Sequence, residues 1–133
     1  MCGIAGSVEL YGHEMLDFSR GGNLYKTISS RGPDNYAALT VDLPNYKITL
    51  AHTRLAIIDL NAASNQPFTS SCGRFLLTYN GEIYNFKELR DELIAIGYSF
   101  STMGDVEVLI NSWKYWGVNC LNKFNGMFAF ALY

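Results

Sequence analysis

Few residues in this chain pair a reactive type with a telling position, and the first is Cys2. The chain opens Met1-Cys2-Gly3-Ile4-Ala5-Gly6. Removal of the initiator methionine would leave one residue carrying both a thiol and a free α-amino group. A thiol of ordinary pKa, ~8.5, is mostly protonated at neutral pH, and an α-amino group titrates near ~8. Held together, the amine can act as the general base that a nucleophile otherwise borrows from a histidine. Cysteine is small enough for methionine removal, and no apolar stretch follows that would read as a signal peptide. Cys2 is a candidate nucleophile.

Other positions carry two readings each. Arg54 sits in an apolar strand, where a buried guanidinium needs a carboxylate from Asp59, Asp34 or a ligand. Asn80-Gly81 is first of all the dipeptide that favours a tight hairpin turn. Asp105 suits a helix N-cap, a role compatible with its other oxygen facing a pocket. His13 and His52 pair neither with each other nor with a cysteine, so each reads as structural or solvated. Trp113, Tyr115 and Trp116 read as core or helix surface.

The elements that would position these residues follow from pattern and punctuation. Gly3 to Leu10 reads as a strand whose glycines permit close backbone approach. Met15 to Ser29 has apolar residues at helical spacing, with Gly21-Gly22 weakening its middle. Arg31-Gly32-Pro33-Asp34 forces a turn. Tyr36 to Asp42 and Lys47 to Ile58 read as strands joined at Leu43-Pro44-Asn45 in a hairpin. Phe75 to Tyr79 and Ile83-Tyr84 flank Asn80-Gly81, predicting a second hairpin. Asn85 and Glu88 predict a capped helix with Phe86, Leu89, Leu93 and Ile96 inward, closed by Gly97. A second helix from Asp105 to Tyr115 turns Val106, Leu109, Ile110 and Trp113 inward. Gly126 to Tyr133 is a strand apolar on both faces, which predicts a place in the middle of a sandwich. Hairpin-linked strands around a helix pair make the chain α+β.

Composition narrows the partners. The chain has 133 residues, 49% apolar and 17% charged, which fits one ordered domain. Net charge is −2 with no Lys/Arg block, which argues against nucleic acid or an acidic membrane surface. No apolar run approaches the ~18 residues of a membrane span. The cysteines, Cys2, Cys72 and Cys120, are odd in number and far apart, fitting neither a disulfide framework nor a metal site. A reducing cytoplasm is the expected location.

In order along the chain stand Cys2-Gly3-Ile4, Arg31-Gly32-Pro33-Asp34, the string from His52 to Asp59, Tyr79-Asn80-Gly81-Glu82-Ile83-Tyr84-Asn85, Gly104-Asp105 and the strand from Gly126 to Tyr133. Together they resemble the glutaminase domain of class II glutamine amidotransferases, and within it the asparagine synthetase branch. The resemblance implies an N-terminal-nucleophile hydrolase fold, a four-layer α-β-β-α sandwich with mainly antiparallel sheets, truncated before its last strands. It implies Cys2 as nucleophile, with the Asn80 side-chain amide and the Gly81 backbone N–H as the oxyanion hole. It further implies Arg54 as clamp for the glutamine carboxylate, Glu82 and Asp105 as partners of its ammonium, and the Leu55, Ile57 and Ile58 stretch as lining. Arg31 lies near the nucleophile in that family.

The activity so implied is hydrolysis of glutamine to glutamate and ammonia, the ammonia then amidating aspartate in a linked, ATP-dependent synthetase domain. Residues 1–133 would be the glutaminase domain, incomplete at its C-terminus. No cofactor or metal is expected in it; ATP and magnesium would belong to the missing synthetase domain. The expected partners are L-glutamine and that domain, with a homodimer left open. Ser30 departs from the family, which carries a histidine before Arg31-Gly32-Pro33-Asp34; a supporting contact is thereby in question. Three other readings stay open: another carboxylate acceptor such as a sugar acid, an amidase with another substrate, or an inactive scaffold.

Overall fold

A computed structural model describes residues 2–12, 21–56 and 60–133. Strands β1 (Gly3–Leu10), β2 (Asn35–Asp42) and β3 (Tyr46–Arg54) form an antiparallel sheet in the order β1-β3-β2. Register places Gly3 opposite Thr53 and Ala5 opposite Ala51, so small side chains share one face. Helix α1 (Gly21–Ile28) lies close against that face, and the Thr53 hydroxyl donates to the Ile28 carbonyl at 2.9 Å. Because side chains alternate along a strand, Leu50, His52 and Arg54 turn the other way.

They turn toward a second antiparallel sheet of β4 (Phe68–Thr69), β5 (Leu76–Ile83) and β6 (Gly126–Leu132), in the order β4-β5-β6. The Thr78 hydroxyl on β5 donates to the Ala51 carbonyl at 3.3 Å and ties the sheets together. On the far face of β5, Leu77, Tyr79 and Ile83 pack with Leu89 and Leu93 of α2 (Phe86–Ala95) and Val106, Leu109 and Ile110 of α3 (Asp105–Trp116). Burying each such aliphatic side chain stabilises the fold by about 1.5–3 kcal/mol, so this cluster is the main core. The layers run helix, sheet, sheet, helix, the α-β-β-α sandwich expected.

Several local expectations need correction. Asn80-Gly81 makes no hairpin: β5 runs straight through it and pairs with β6, Gly81 opposite Phe128. A Cβ on Gly81 would lie 2.4 Å from the Met127 carbonyl oxygen, so the glycine serves strand approach rather than a turn. α1 is helical from Gly21 through Ile28, and residues 13–20 of the predicted helix lie outside the described residues. β3 stops at Arg54 rather than Ile58. Asn85 is the N-cap residue of α2 as predicted, but its side chain makes no capping bond; it donates to the Lys123 carbonyl and accepts from the Asn125 N–H, both at 2.9 Å. Gly104, not Asp105, is the N-cap of α3. β6 lies in one of the two inner layers, as its apolar faces predict; among the described residues it pairs with β5, and Met127 on it is 74% exposed. The hairpin at residues 43–45 and the left-handed Gly97, φ 97°, stand as predicted.

Candidate active site

At one end of the sandwich, where β1 and β3 meet β5 and the start of α3, the two sheets enclose a cavity of about 190 Å³. Its walls include Cys2, Arg54, Leu55, Asn80, Gly81, Glu82 and Asp105. Residues scattered from position 2 to position 105 thus converge on one space. Ile57 and Ile58 lie outside the described residues, as does Asp59.

Cys2 precedes β1 and is held by its neighbours. The Leu55 N–H donates to Sγ at 3.4 Å, and Sγ lies 3.6 Å from the Leu55 carbonyl oxygen. Arg31 Nε donates to the Cys2 carbonyl at 2.9 Å, placing the predicted Arg31 beside the nucleophile candidate. Asp34 Oδ2 accepts from the Ala56 N–H at 2.8 Å. The turn from Arg31 to Asp34 therefore fixes both the Cys2 backbone and the strand exit at Leu55-Ala56. A Cβ on Gly32 would lie 2.5 Å from the Thr53 carbonyl carbon, so this turn packs directly on β3.

Arg54 is 8% exposed, and its Nη1 donates to the Asn61 carbonyl at 3.0 Å and to Asn65 Oδ1 at 2.6 Å. Those contacts orient the guanidinium plane within the cavity wall. Asn80 and Glu82 lie on the face of β5 turned toward the first sheet, opposite to Leu77 and Tyr79. Glu82 is exposed, whereas Asp105 is 8% exposed. Asp105 Oδ2 accepts from the Tyr79 hydroxyl at 2.6 Å and from the Ile83 N–H at 3.1 Å.

His52 is fully buried between the sheets, and neither ring nitrogen makes a hydrogen bond of normal geometry among the described residues. Burial lowers its pKa to about 4; the Tyr79 backbone pulls the other way, and the Arg54 charge adds to the lowering. It is a neutral interior imidazole, not a base for Cys2. Cys72 is exposed and Cys120 buried, and none of the three cysteines is bridged. Among the described residues no three His, Cys, Asp or Glu side chains gather as a metal site, and no helix is long and apolar enough to cross a membrane.

Three supporting residues were not singled out from the sequence. Tyr79 reads as an ordinary strand aromatic. Gln66 lies in a polar loop, yet it is buried and its Oε1 accepts from the Tyr79 N–H at 2.6 Å. Asn65 shows its part only through Arg54.

This geometry, a thiol among amide donors, a guanidinium and two carboxylates, suits an amino-acid amide. The family model of the glutamine amidotransferase domain matches residues 1–133, and the chain belongs to that family. A glutamine-hydrolysing asparagine synthetase of Bacillus subtilis, the one numbered 3, is 34% identical over 135 residues, covering 100% of this chain and 21% of its own length. The synthetase numbered 1 of the same organism is 36% identical over 106 residues, covering 80% of this chain and 16% of its own length. An amidase of Gibberella zeae is 31% identical over 142 residues, covering 100% and 21% respectively. The chain spans about a fifth of the length of these relatives.

Proposed function

We propose that this chain hydrolyses the side-chain amide of L-glutamine, with Cys2 as nucleophile. The observation that carries this reading is the convergence of Cys2, Arg54, Asn80, Gly81, Glu82 and Asp105 on one cavity. In the proposed reaction the α-amine of a processed Cys2 takes the thiol proton as Sγ attacks the amide carbon. The developing oxyanion is met by the Asn80 amide and the Gly81 N–H. One donor of this kind is worth roughly 3–4 kcal/mol in the transition state. Collapse passes the proton to the departing nitrogen, releasing ammonia and leaving a thioester, which water cleaves to glutamate. Arg54 grips the substrate carboxylate and Glu82 with Asp105 the ammonium; Leu55 lines the slot.

The ammonia acceptor is proposed from the relatives. We infer that the natural protein links this domain to an ATP- and magnesium-dependent synthetase domain that amidates aspartate in the cytoplasm. The amidase relative favours a second reading, hydrolysis of a different amide by the same site. The test is glutamate release by the natural protein and its Cys2→Ser variant. Loss of release in a variant that melts like the parent is the expected result; retained release would exclude Cys2 as nucleophile.

A further inference from the structure

Asp105 poses a physical problem that its neighbours answer. A carboxylate only 8% exposed is costly to keep charged unless donors surround it. Two protein donors reach it, the Tyr79 hydroxyl at 2.6 Å and the Ile83 N–H at 3.1 Å, and both take the same oxygen, Oδ2. Oδ1 has no partner among the described residues, and Asp105 lines the cavity. One oxygen is tied into the protein; the other is left for what enters.

Tyr79 is itself held at its ring and at its backbone. Its ring sits in the core between β5 and the helices, 3% exposed. Its N–H is bound by the buried Gln66 Oε1 at 2.6 Å. Asp105 is held separately: Arg90 fixes the entry to α3, donating to the Thr102 carbonyl at 2.7 Å and the Gly104 carbonyl at 2.9 Å. The hydroxyl and the carboxylate are therefore set toward each other by separate parts of the fold. Burial, and next the charge of Asp105, raise the Tyr79 pKa far above the usual tyrosine value, so the hydroxyl remains a donor.

We propose that Tyr79 is a positioning residue for amino-acid recognition: its hydroxyl locks the Asp105 carboxylate so that Oδ1 faces the substrate's α-ammonium. This rests on the glutaminase reading and adds to it a residue that touches no substrate. A packing role alone would need only the ring, which phenylalanine supplies in full. The hydroxyl is what phenylalanine lacks. Without it Oδ2 keeps only the longer bond from the Ile83 N–H, at 3.1 Å, and ammonium binding must include the cost of fixing a carboxylate held at one point instead of two.

The experiment uses the natural protein carrying Cys2→Ala, which cannot turn glutamine over, and measures affinity by NMR titration with glutamine and with glutaramate. Glutaramate keeps the carboxylate and the side-chain amide but has no α-ammonium. Tyr79→Phe should weaken glutamine about tenfold and leave glutaramate within twofold, since one hydrogen bond to a charged group is at stake. In an Asp105→Asn background, where glutamine is already weakened selectively, Tyr79→Phe should add nothing. Unchanged glutamine affinity, equal loss for both ligands, or a full Tyr79→Phe effect in the Asp105→Asn background would each overturn the proposal. Asp105→Asn alone must also discriminate between the two ligands, so the pair stays testable if Tyr79→Phe melts early. Failure of the Cys2→Ala parent to bind glutamine at all would remove the glutaminase reading and this inference with it.

Discussion

Arg54→Lys separates the role that the guanidinium fills in the fold from the one proposed for it in binding glutamine. Nη1 donates to the Asn61 carbonyl and to Asn65 Oδ1, holding the loop after β3. Hydrogen bonds to a charged donor contribute about 1.5–3 kcal/mol when buried. Asn61 is exposed and Asn65 half-buried, so solvent lowers each to about 1 kcal/mol. Lysine keeps the charge and can reach one of the two acceptors, but it lacks the planar fork. The stability loss should then be about 1 kcal/mol, a fall of roughly 4 °C in Tm for a domain of this size. A carboxylate held by two parallel charge-assisted bonds loses one of them, which corresponds to roughly 10- to 100-fold weaker glutamine. Scanning fluorimetry and glutamine titration in a Cys2→Ala background read the two effects separately. Glutamine affinity within twofold of the parent would place the carboxylate clamp elsewhere.

Asn80→Ala should lower kcat for glutamate release by roughly 10²- to 10³-fold with little change in KM, the reverse of Arg54→Lys; steady-state kinetics of both variants checks the assignment. His52 predicts an acid-sensitive interior: its pKa is near 4 folded and about 6.5 unfolded, so the unfolded state binds more protons between those values. Stability is full above about pH 6.5 and falls by roughly 3 kcal/mol on the way to pH 4, and His52→Leu should flatten that part of a denaturation series. Gly81→Ala should destabilise by about 1–3 kcal/mol through overpacking against β6, seen as a lower midpoint in urea; an unchanged midpoint would mean that β6 yields without cost.

Strand and helix were legible where apolar spacing and turn residues agreed, even in α3, whose residues 105–112 are all buried. The inward Val106, Leu109 and Ile110 of α3, and the 43–45 hairpin, follow from period and turn residues alone. Asn80-Gly81 was misleading because the dipeptide favours a turn only when the chain needs one; here pairing with β6 along residues 126–132 extends the strand. The partner strand lies more than forty residues away, beyond any local pattern. For the candidate site, residue types and order pointed to Cys2, Arg54, Asn80, Gly81, Glu82 and Asp105, all of which reach the cavity. Tyr79, Gln66 and Asn65 were invisible because their part is to hold other groups, and that is a matter of distance rather than type.

The most direct test of the nucleophile compares two preparations of the natural protein, one beginning at a free Cys2 and one retaining Met1, with the N-terminus of each established by mass spectrometry. Retained methionine acylates the proposed base and moves the thiol off the chain terminus. Glutamate release should track the fraction of molecules that begin at Cys2, with the Met1-bearing sample close to background. An equal rate from both preparations would contradict an N-terminal amine acting on the Cys2 thiol.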